Sequence, residues 1–204
     1  MPEFIKQIYW TISYYCYLTL FMVGTMAVNL LSLLLILFLK KDKARSALRA
    51  IVYNIFDLYL NVMEASTTLV TNRDVLKRID ATEGGLLIIS NHPCMFDAPI
   101  VFSRIRGLVC VFKSSLNNVL WISRTAKAIG YLSNDGGIDL IRNLSDALIK
   151  GEKVLLFPEG TRTYEEPVNP FNPGYALAAI RAQVPVQLIR VYSYTSILSK
   201  KQSF

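Results

Sequence analysis

The chain has 204 residues, is 52% hydrophobic, has a mean hydropathy of +0.35 and carries a formal net charge of +7. This length suits one catalytic domain with an appendage, and the hydropathy is high for a purely soluble protein. The positive charge favours anionic partners such as lipid headgroups or phosphates. No Lys/Arg-rich tract is interleaved with aromatic residues, so nucleic acid is not a predicted partner.

The three cysteines and the single histidine limit the metal chemistry that the sequence supports. Cys16, Cys94 and Cys110 lie far apart without paired spacing, which argues against a disulfide framework and against a cysteine-based zinc site. A single histidine excludes a site with several histidine ligands. The sequence therefore predicts no bound metal or cofactor.

The N-terminal segment is long and apolar. No residue between Ile8 and Leu39 is charged, and a helix needs about 20 apolar residues to cross the hydrocarbon core of a bilayer. We predict a spanning helix at residues 19–39 within an N-terminal membrane anchor of residues 1–43. Two alternatives remain open. One is a hairpin or monotopic anchor bent near Gly24, and the other is a buried core helix or a signal peptide.

A basic cluster follows this apolar segment directly. It consists of Lys40, Lys41, Lys43, Arg45 and Arg49. Only Lys6 and the chain amine provide positive charge on the other side of the segment. The positive-inside rule therefore predicts that the chain after Leu39 lies on the cytoplasmic side of the cytoplasmic membrane. The position of the cluster at the membrane edge favours contact with lipid headgroups over a solvated charge run.

Residues 44–204 are predicted to form one α/β domain, in which a mostly parallel twisted sheet is flanked by helices. Short apolar runs typical of buried strands occur at 86–90, 108–112, 154–158 and 184–192. Helices are predicted at 44–65, 97–104, 117–129 and 138–150. Strands that alternate with helices imply a parallel sheet covered on both faces. The stretch from Tyr164 to Gly174 contains three prolines and predicts an irregular loop.

The only histidine of the chain follows the first of these strands, in the motif Asn91-His92-Pro93-Cys94-Met95-Phe96-Asp97. Ligands of α/β proteins usually bind at the carboxyl ends of strands. On a regular helix His92 and Asp97 would point apart, because five residues rotate by about 140°. They can meet if His92 lies in a turn and Pro93 starts the next helix. The carboxylate would then fix the imidazole tautomer and leave the other ring nitrogen as a base. A turn histidine bonded only to backbone is the alternative.

A second polar motif, Phe157-Pro158-Glu159-Gly160-Thr161-Arg162-Thr163, lies at the end of another predicted strand. Arg162 offers a planar set of donors that suits a phosphate, and backbone N–H groups at Gly160 and Thr161 would add to an anion site. Glu159 would orient Arg162 or bind an acceptor hydroxyl. The alternative is a tight loop with a surface salt bridge.

In this order and at this separation, the two motifs resemble those of the PlsC-like glycerolipid acyltransferases, which include the lysophosphatidic acid acyltransferases. The resemblance covers roughly residues 80–191, and Lys113, Gly174 and the stretch 184–186 match the family as well. It implies the glycerolipid acyltransferase fold, with His92 as the general base on an acceptor hydroxyl and Asp97 as the support of the imidazolium. The acyl donor would be acyl-CoA or acyl-carrier protein. Residues implied to bind the acceptor are Asn91, Lys113, Glu159, Gly160, Thr161 and Arg162.

The sequence departs from this family pattern at two places. Cys94 stands where members often carry serine, and we interpret it as a packed thiol rather than as an acyl-cysteine nucleophile. The stretch 130–137 lacks the arginine that the middle motif often has, and Arg142 either replaces that arginine or lies on a helix face. The favoured acceptor is 1-acylglycerol-3-phosphate. Other lysophospholipids, amino-acid lipids and pigment-linked lipids remain open.

Two other functions compete with acyl transfer. A hydrolase of thioesters or lipid esters would use His92 and Asp97 on water, or Ser90 as a nucleophile. The chain has no Gly-x-Ser-x-Gly motif, which weighs against a serine nucleophile. A non-catalytic membrane-binding protein that retains the fold is the third hypothesis.

Overall fold

The computed structural model describes residues 2–134, 137–164 and 167–192, and its strands form one parallel sheet in the order β3-β2-β4-β1-β5. The strands are β1 (Leu86–Ser90), β2 (Val109–Lys113), β3 (Leu132–Asn134), β4 (Lys153–Leu156) and β5 (Val186–Ile189). The predicted α/β class and parallel sheet are confirmed. The apolar run at 86–90 forms a strand over the predicted residues, whereas β5 is shorter than the predicted 184–192. β3 was not predicted.

Seven α-helices surround the sheet within these residues. They are α1 (Glu3–Phe38), α2 (Lys41–Ala65), α3 (Lys77–Asp80), α4 (Asp97–Phe102), α5 (Leu120–Ile129), α6 (Gly137–Ile149) and α7 (Gly174–Ala182). Two short 3₁₀ turns lie at Arg73–Leu76 and Ser114–Asn118. The four helices predicted after residue 43 are present with shifted ends. Neither α3 nor α7 was predicted, because α3 has four residues and α7 follows the proline-containing loop directly.

The core lies on both faces of the sheet because successive strand residues point to opposite faces. Ile88 and Leu155 pack on one side with Leu48 and Val101 of α2 and α4. Their neighbours Leu87, Val154 and Leu156 pack on the other side with side chains of α6 and α7. Burial of both faces explains why these strands read as continuous apolar runs rather than as alternating patterns.

α1 is one continuous 36-residue helix, about 54 Å long at 1.5 Å per residue. It contains no bend at Gly24, so the alternative of a hairpin bent there is not observed. One face of α1 packs on α2 and α5. This inward stripe is formed by Tyr17, Phe21, Val28, Ser32 and Leu35. The Ser32 hydroxyl is buried and lies 3.0 Å from the hydroxyl of Thr125 in α5.

After its first turns, which contain the exposed Glu3 and Lys6, the outer surface of α1 is mostly apolar, with Met26 69% exposed and Phe38 79% exposed. By length and composition α1 could cross a membrane. However, α2 packs along α1 and carries charged residues from Lys41 to Glu64, so α1 is not surrounded by lipid on all sides. One side of α1 therefore faces protein, and both the spanning helix at residues 19–39 and a monotopic anchor stay predictions. The cytoplasmic orientation stays a prediction.

The residues of the basic cluster after α1 differ in their surroundings: the lysines face solvent and the arginines contact protein. Lys40, Lys41 and Lys43 are exposed. Arg49 instead donates to the backbone oxygens of Gly107 and Ile129 and forms an ion pair with Glu152. Arg45 packs against Gly130, where an added Cβ would lie 2.8 Å from its Nε. The two arginines therefore attach α2 to the C-terminal end of α5, whereas the three lysines remain available to headgroups.

A buried arginine connects α2 to the residue that follows α4. The Arg73 side chain is 2% exposed and donates to Glu64, Asp57 and Asn61 of α2. It also donates to the hydroxyl of Ser103, which follows α4. Several polar partners surround this guanidinium, as a buried charge requires.

Parallel pairing brings the two sequence motifs to one edge of the sheet. β1 pairs with β4 so that Ile89 lies opposite Leu156. The chain after β1, which contains His92, and the chain after β4, which contains Glu159, therefore leave the sheet side by side. Asp135 and Gly136, which belong to the stretch 130–137 that lacks the arginine of the middle motif, lie outside the described residues.

Candidate active site

The segment between β1 and α4 forms a tight turn, and α4 begins at Asp97. Pro93 lies inside this turn, four residues before the helix, so our prediction that Pro93 starts the helix is wrong. Because residues 93–96 form a turn and not a helix, His92 and Asp97 do not point apart. The two side chains are thus brought together by the backbone of residues 93–96.

His92 and Asp97 are in direct contact. The Nδ1 atom of His92 lies 2.9 Å from Oδ2 of Asp97, and the Asp97 side chain is fully buried. The backbone N–H of Cys94 donates to the same oxygen at 2.8 Å. Because Nδ1 faces a carboxylate, we assign the proton to Nδ1, which leaves Nε2 to accept a proton from a substrate. The imidazole side chain is 21% exposed.

The thiol of Cys94 also faces Asp97. Its Sγ donates to Oδ1 at 3.0 Å. Burial raises the pKa of this thiol to about 12, and the negative charge of Asp97 acts in the same direction. Since the thiolate is the nucleophilic form of cysteine, these features argue against an acyl-cysteine intermediate and agree with a packed thiol.

The backbone of His92 is held by the second motif. Its N–H donates to Oε1 of Glu159 at 2.8 Å, and its carbonyl accepts from the N–H of Thr163 at 2.8 Å. Glu159 also accepts from the Thr163 hydroxyl and from the N–H of Asn169. The carboxylate of Glu159 thereby joins the histidine turn to the loop after β4. We predicted an acceptor contact or an orientation of Arg162 for Glu159, and that substrate contact stays a prediction.

An aromatic side chain fixes the plane of the imidazole. The ring of Phe157 stacks on that of His92, with centroids 4.3 Å apart and planes inclined by 24°. Stacking on one face and a hydrogen bond at Nδ1 together restrict both side-chain torsions of His92. Phe157 is the first residue after β4, and no local pattern indicated this contact because the residue continues an apolar run.

Asn169 organises the proline-containing loop, and sequence reasoning missed it. The residue is 3% exposed, its Nδ2 donates to the backbone oxygen of Arg162, and its Oδ1 accepts from the N–H of Tyr164. Together with the bond from the backbone N–H of Asn169 to Glu159, these contacts hold the loop against the second motif. Asn169 and Asn172 each precede a proline and both resemble ordinary turn residues, so the sequence held no specific signal for the role of Asn169.

Asn91 links the site to the last strand. Its Nδ2 donates to the carbonyl of Val191 at 2.9 Å, and its Oδ1 accepts from the N–H of Val191 at 2.7 Å. These two bonds fix the chain that follows β5 beside the histidine turn. The acceptor contact that the resemblance implies for Asn91 stays a prediction.

The residues expected to bind an anion lie at the same edge of the sheet. Lys113 is the exposed last residue of β2, which pairs with β4. Gly160 forms a tight turn with a φ of +65°, and its N–H donates to the carbonyl of Phe157. Thr161 and Arg162 follow it and are half-buried. The predicted anion-binding residues therefore share the edge that holds His92.

Two residues from the alternative interpretations lie where they do not serve catalysis. Arg142 is 61% exposed on α6 beside Asp139, so it lies on a helix face. Ser90 is fully buried and donates to the backbone oxygen of Asn91, which leaves it unsuited as a hydrolase nucleophile. Within the described residues, no group of three or more His, Cys, Asp or Glu side chains is arranged to hold a metal ion.

Comparison with known proteins identifies the family and the fold of the chain. The family model described as Acyltransferase matches residues 67–191, which is more than half of the chain. Among solved structures, the chain is similar to the 1-acyl-sn-glycerophosphate (LPA) acyltransferase PlsC from Thermotoga maritima, with a TM-score of 0.64. The sequence identity is 17%, and the match covers 91% of this chain and 73% of the other. At this identity the likeness shows the fold. No curated protein sequence matches the chain.

Proposed function

This chain belongs to the acyltransferase family, and on that premise we propose that it transfers an acyl chain from an acyl thioester to a hydroxyl of a lysophospholipid-like acceptor. The observation that carries the proposal is the contact of His92 with the buried carboxylate of Asp97. A histidine oriented in this way by a carboxylate is suited to act as a general base.

The proposed reaction needs only a proton relay through His92. Nε2 accepts the proton of the acceptor hydroxyl while the oxygen attacks the thioester carbonyl carbon, and Asp97 stabilises the resulting imidazolium. The tetrahedral intermediate then collapses, and the carbon–sulfur bond breaks. The imidazolium returns its proton to the departing sulfur, so the products are an ester and a free thiol. The acyl group moves without a covalent enzyme intermediate.

Two features support a phosphate-bearing lipid as the acceptor. Lys113 and Arg162 lie at the catalytic edge of the sheet and provide cationic donors for a phosphate. The exposed apolar face of α1 is suited to hold the enzyme at a lipid surface, where such acceptors reside. We propose 1-acylglycerol-3-phosphate as the acceptor and acyl-CoA or acyl-carrier protein as the donor.

The proposal is tested with the purified chain in detergent or nanodiscs. Each donor is combined with 1-acylglycerol-3-phosphate, with a phosphate-free monoacylglycerol or with no acceptor, and mass spectrometry identifies the acylated product. We expect diacylglycerol phosphate as the product. Replacement of His92 by Ala or of Asp97 by Asn should lower kcat by roughly 10²–10⁴-fold.

Asp80→Asn is the matched control. It makes the same chemical change at a carboxylate that contacts Arg106 and Lys153 near the other end of the strands. This variant should transfer acyl groups at the parental rate per folded molecule. Equal activity of His92→Ala and the parent would refute the proposed base. Release of free fatty acid at a rate independent of acceptor would instead identify a hydrolase.

A further inference from the structure

One hydrogen bond in the site is left without a role by the proposed reaction. Of the two oxygens of Asp97, Oδ2 accepts from His92 and from the N–H of Cys94. The donor to Oδ1 in the described structure is the thiol of Cys94, at 3.0 Å. A fully buried carboxylate needs donors on both oxygens, since an unsatisfied acceptor is costly away from water.

From this geometry we propose that Cys94 is a positioning residue, whose thiol holds the Asp97 carboxylate and sets how strongly it supports the charged form of His92. The inference rests on the proposed function in that His92 must gain and lose a proton during acyl transfer. It assigns the cysteine a role distinct from that of a nucleophile.

The direction of the effect follows from the strength of the donor. A thiol is a weak hydrogen-bond donor and a hydroxyl is a stronger one. A stronger donor at Oδ1 stabilises the carboxylate charge by itself and leaves less attraction for a proton on the imidazole. Without a donor at Oδ1, the charge of the Asp97 carboxylate interacts mainly with His92 and favours its protonated form. Serine and alanine at position 94 are therefore expected to act in opposite directions.

Lys113 and Arg162 lie at the same edge of the sheet as His92. Three titratable groups are hydrogen-bonded to His92 or to Asp97 among the described residues. Asp97 lies at the start of α4, Glu159 in the loop after β4, and Cys94 in the turn itself. Glu159 contacts the backbone of His92 rather than its ring. Of the three, only Cys94 changes in the test, so a shift of the imidazole titration between variants is attributable to the donor at Oδ1.

The single histidine of the chain provides a direct readout. NMR of histidine labelled in the ring reports the titration of His92 without interference from other imidazoles. We expect the titration midpoint to fall by about half a pH unit in Cys94→Ser and to rise by about the same amount in Cys94→Ala. We also expect kcat to fall by roughly tenfold in Cys94→Ala with an unchanged KM, and Cys94→Ser to restore most of it.

Cys110→Ser is the control because Cys110 is a buried thiol of β2 that contacts the backbone of Val111. It should leave the midpoint at the parental value even if it lowers the unfolding temperature. A shared midpoint in Cys94→Ala, Cys94→Ser and the parent would overturn the inference and leave the thiol a packing group. The titration requires no turnover, so a lack of acyl transfer by the parent would refute the proposed function separately.

Discussion

Replacing Glu159 by alanine is expected to destabilise the protein and to slow the reaction together. The carboxylate accepts from the backbone N–H groups of His92 and Asn169 and from the Thr163 hydroxyl. A hydrogen bond to an ionised group contributes at least about 1.5 kcal/mol, so the loss of three such bonds should lower the free energy of unfolding by about 4–5 kcal/mol. For a chain of this size that corresponds to a decrease of roughly 10–15 °C in Tm.

Glu159→Gln separates the contributions of the two oxygens. Glutamine retains one oxygen for His92 and Thr163 but presents an amide donor to the N–H of Asn169. The loss should be about 1.5–3 kcal/mol, the value of one hydrogen bond to a charged group. Glu152→Gln is the matched control, since this carboxylate pairs with Arg49 just before the start of β4. It should lower Tm without changing kcat.

The assays are thermal unfolding and steady-state kinetics on the same preparations. Because Glu159 holds the backbone of the base, Glu159→Ala should lower kcat by about 10²-fold, as misplacement of a catalytic group by 1 Å does. The KM for the acceptor should change little. An unchanged kcat and Tm with a large increase in KM would refute this reasoning and would show that Glu159 binds the acceptor.

Three further perturbations test other parts of the structure. Met26→Lys and Leu30→Lys on the outer face of α1 should reduce flotation with anionic vesicles, whereas Asn143→Lys on α6 should not. Lys113→Met should raise the KM for a phosphate-bearing acceptor by roughly tenfold and leave that for a phosphate-free acceptor unchanged. Burial raises the pKa of Glu64, but hydrogen bonds from Arg73 and Thr71 together lower it by a larger amount. The pKa of Glu64 therefore lies below its usual value. The stability that Glu64 contributes is thus present above about pH 4.5 and lost as pH falls below that value. In Arg73→Met, which removes the main hydrogen-bond donor to Glu64, the unfolding temperature should depend less on pH in that range.

The sequence predicted those parts of the site that depend on local pattern. The apolar run 86–90 is buried on both faces and forms β1, and the polar residues that follow it are at the edge where ligands bind. The contact between His92 and Asp97 was predicted correctly, although the turn around Pro93 rather than a helix start produces it. For β1 and for the contact of His92 with Asp97, the sequence pattern indicated where the residues lie but did not specify the backbone geometry.

The parts that the sequence did not predict depend on contacts between distant segments. Phe157 and Glu159 contact the histidine turn only because β1 and β4 are neighbours, which no local pattern specifies. β3 has three residues at the sheet edge and lacks a sustained apolar run. α1 was recognised as apolar, but no pattern indicated that its polar residues Asn29 and Ser32 would contact Thr125 of α5.

The place of β1 in the sheet also determines when the site can form as the chain is synthesised. β1 lies between β4 and β5, which come from the last third of the described chain. α1 and the histidine turn leave the ribosome first, and the loop after β4, which contains Glu159, follows before β5 is made. Val191, which holds Asn91 through two hydrogen bonds, is made after β5. The turn is therefore held from both sides only after residue 191 has been made, so the site is completed late in the synthesis of this fold.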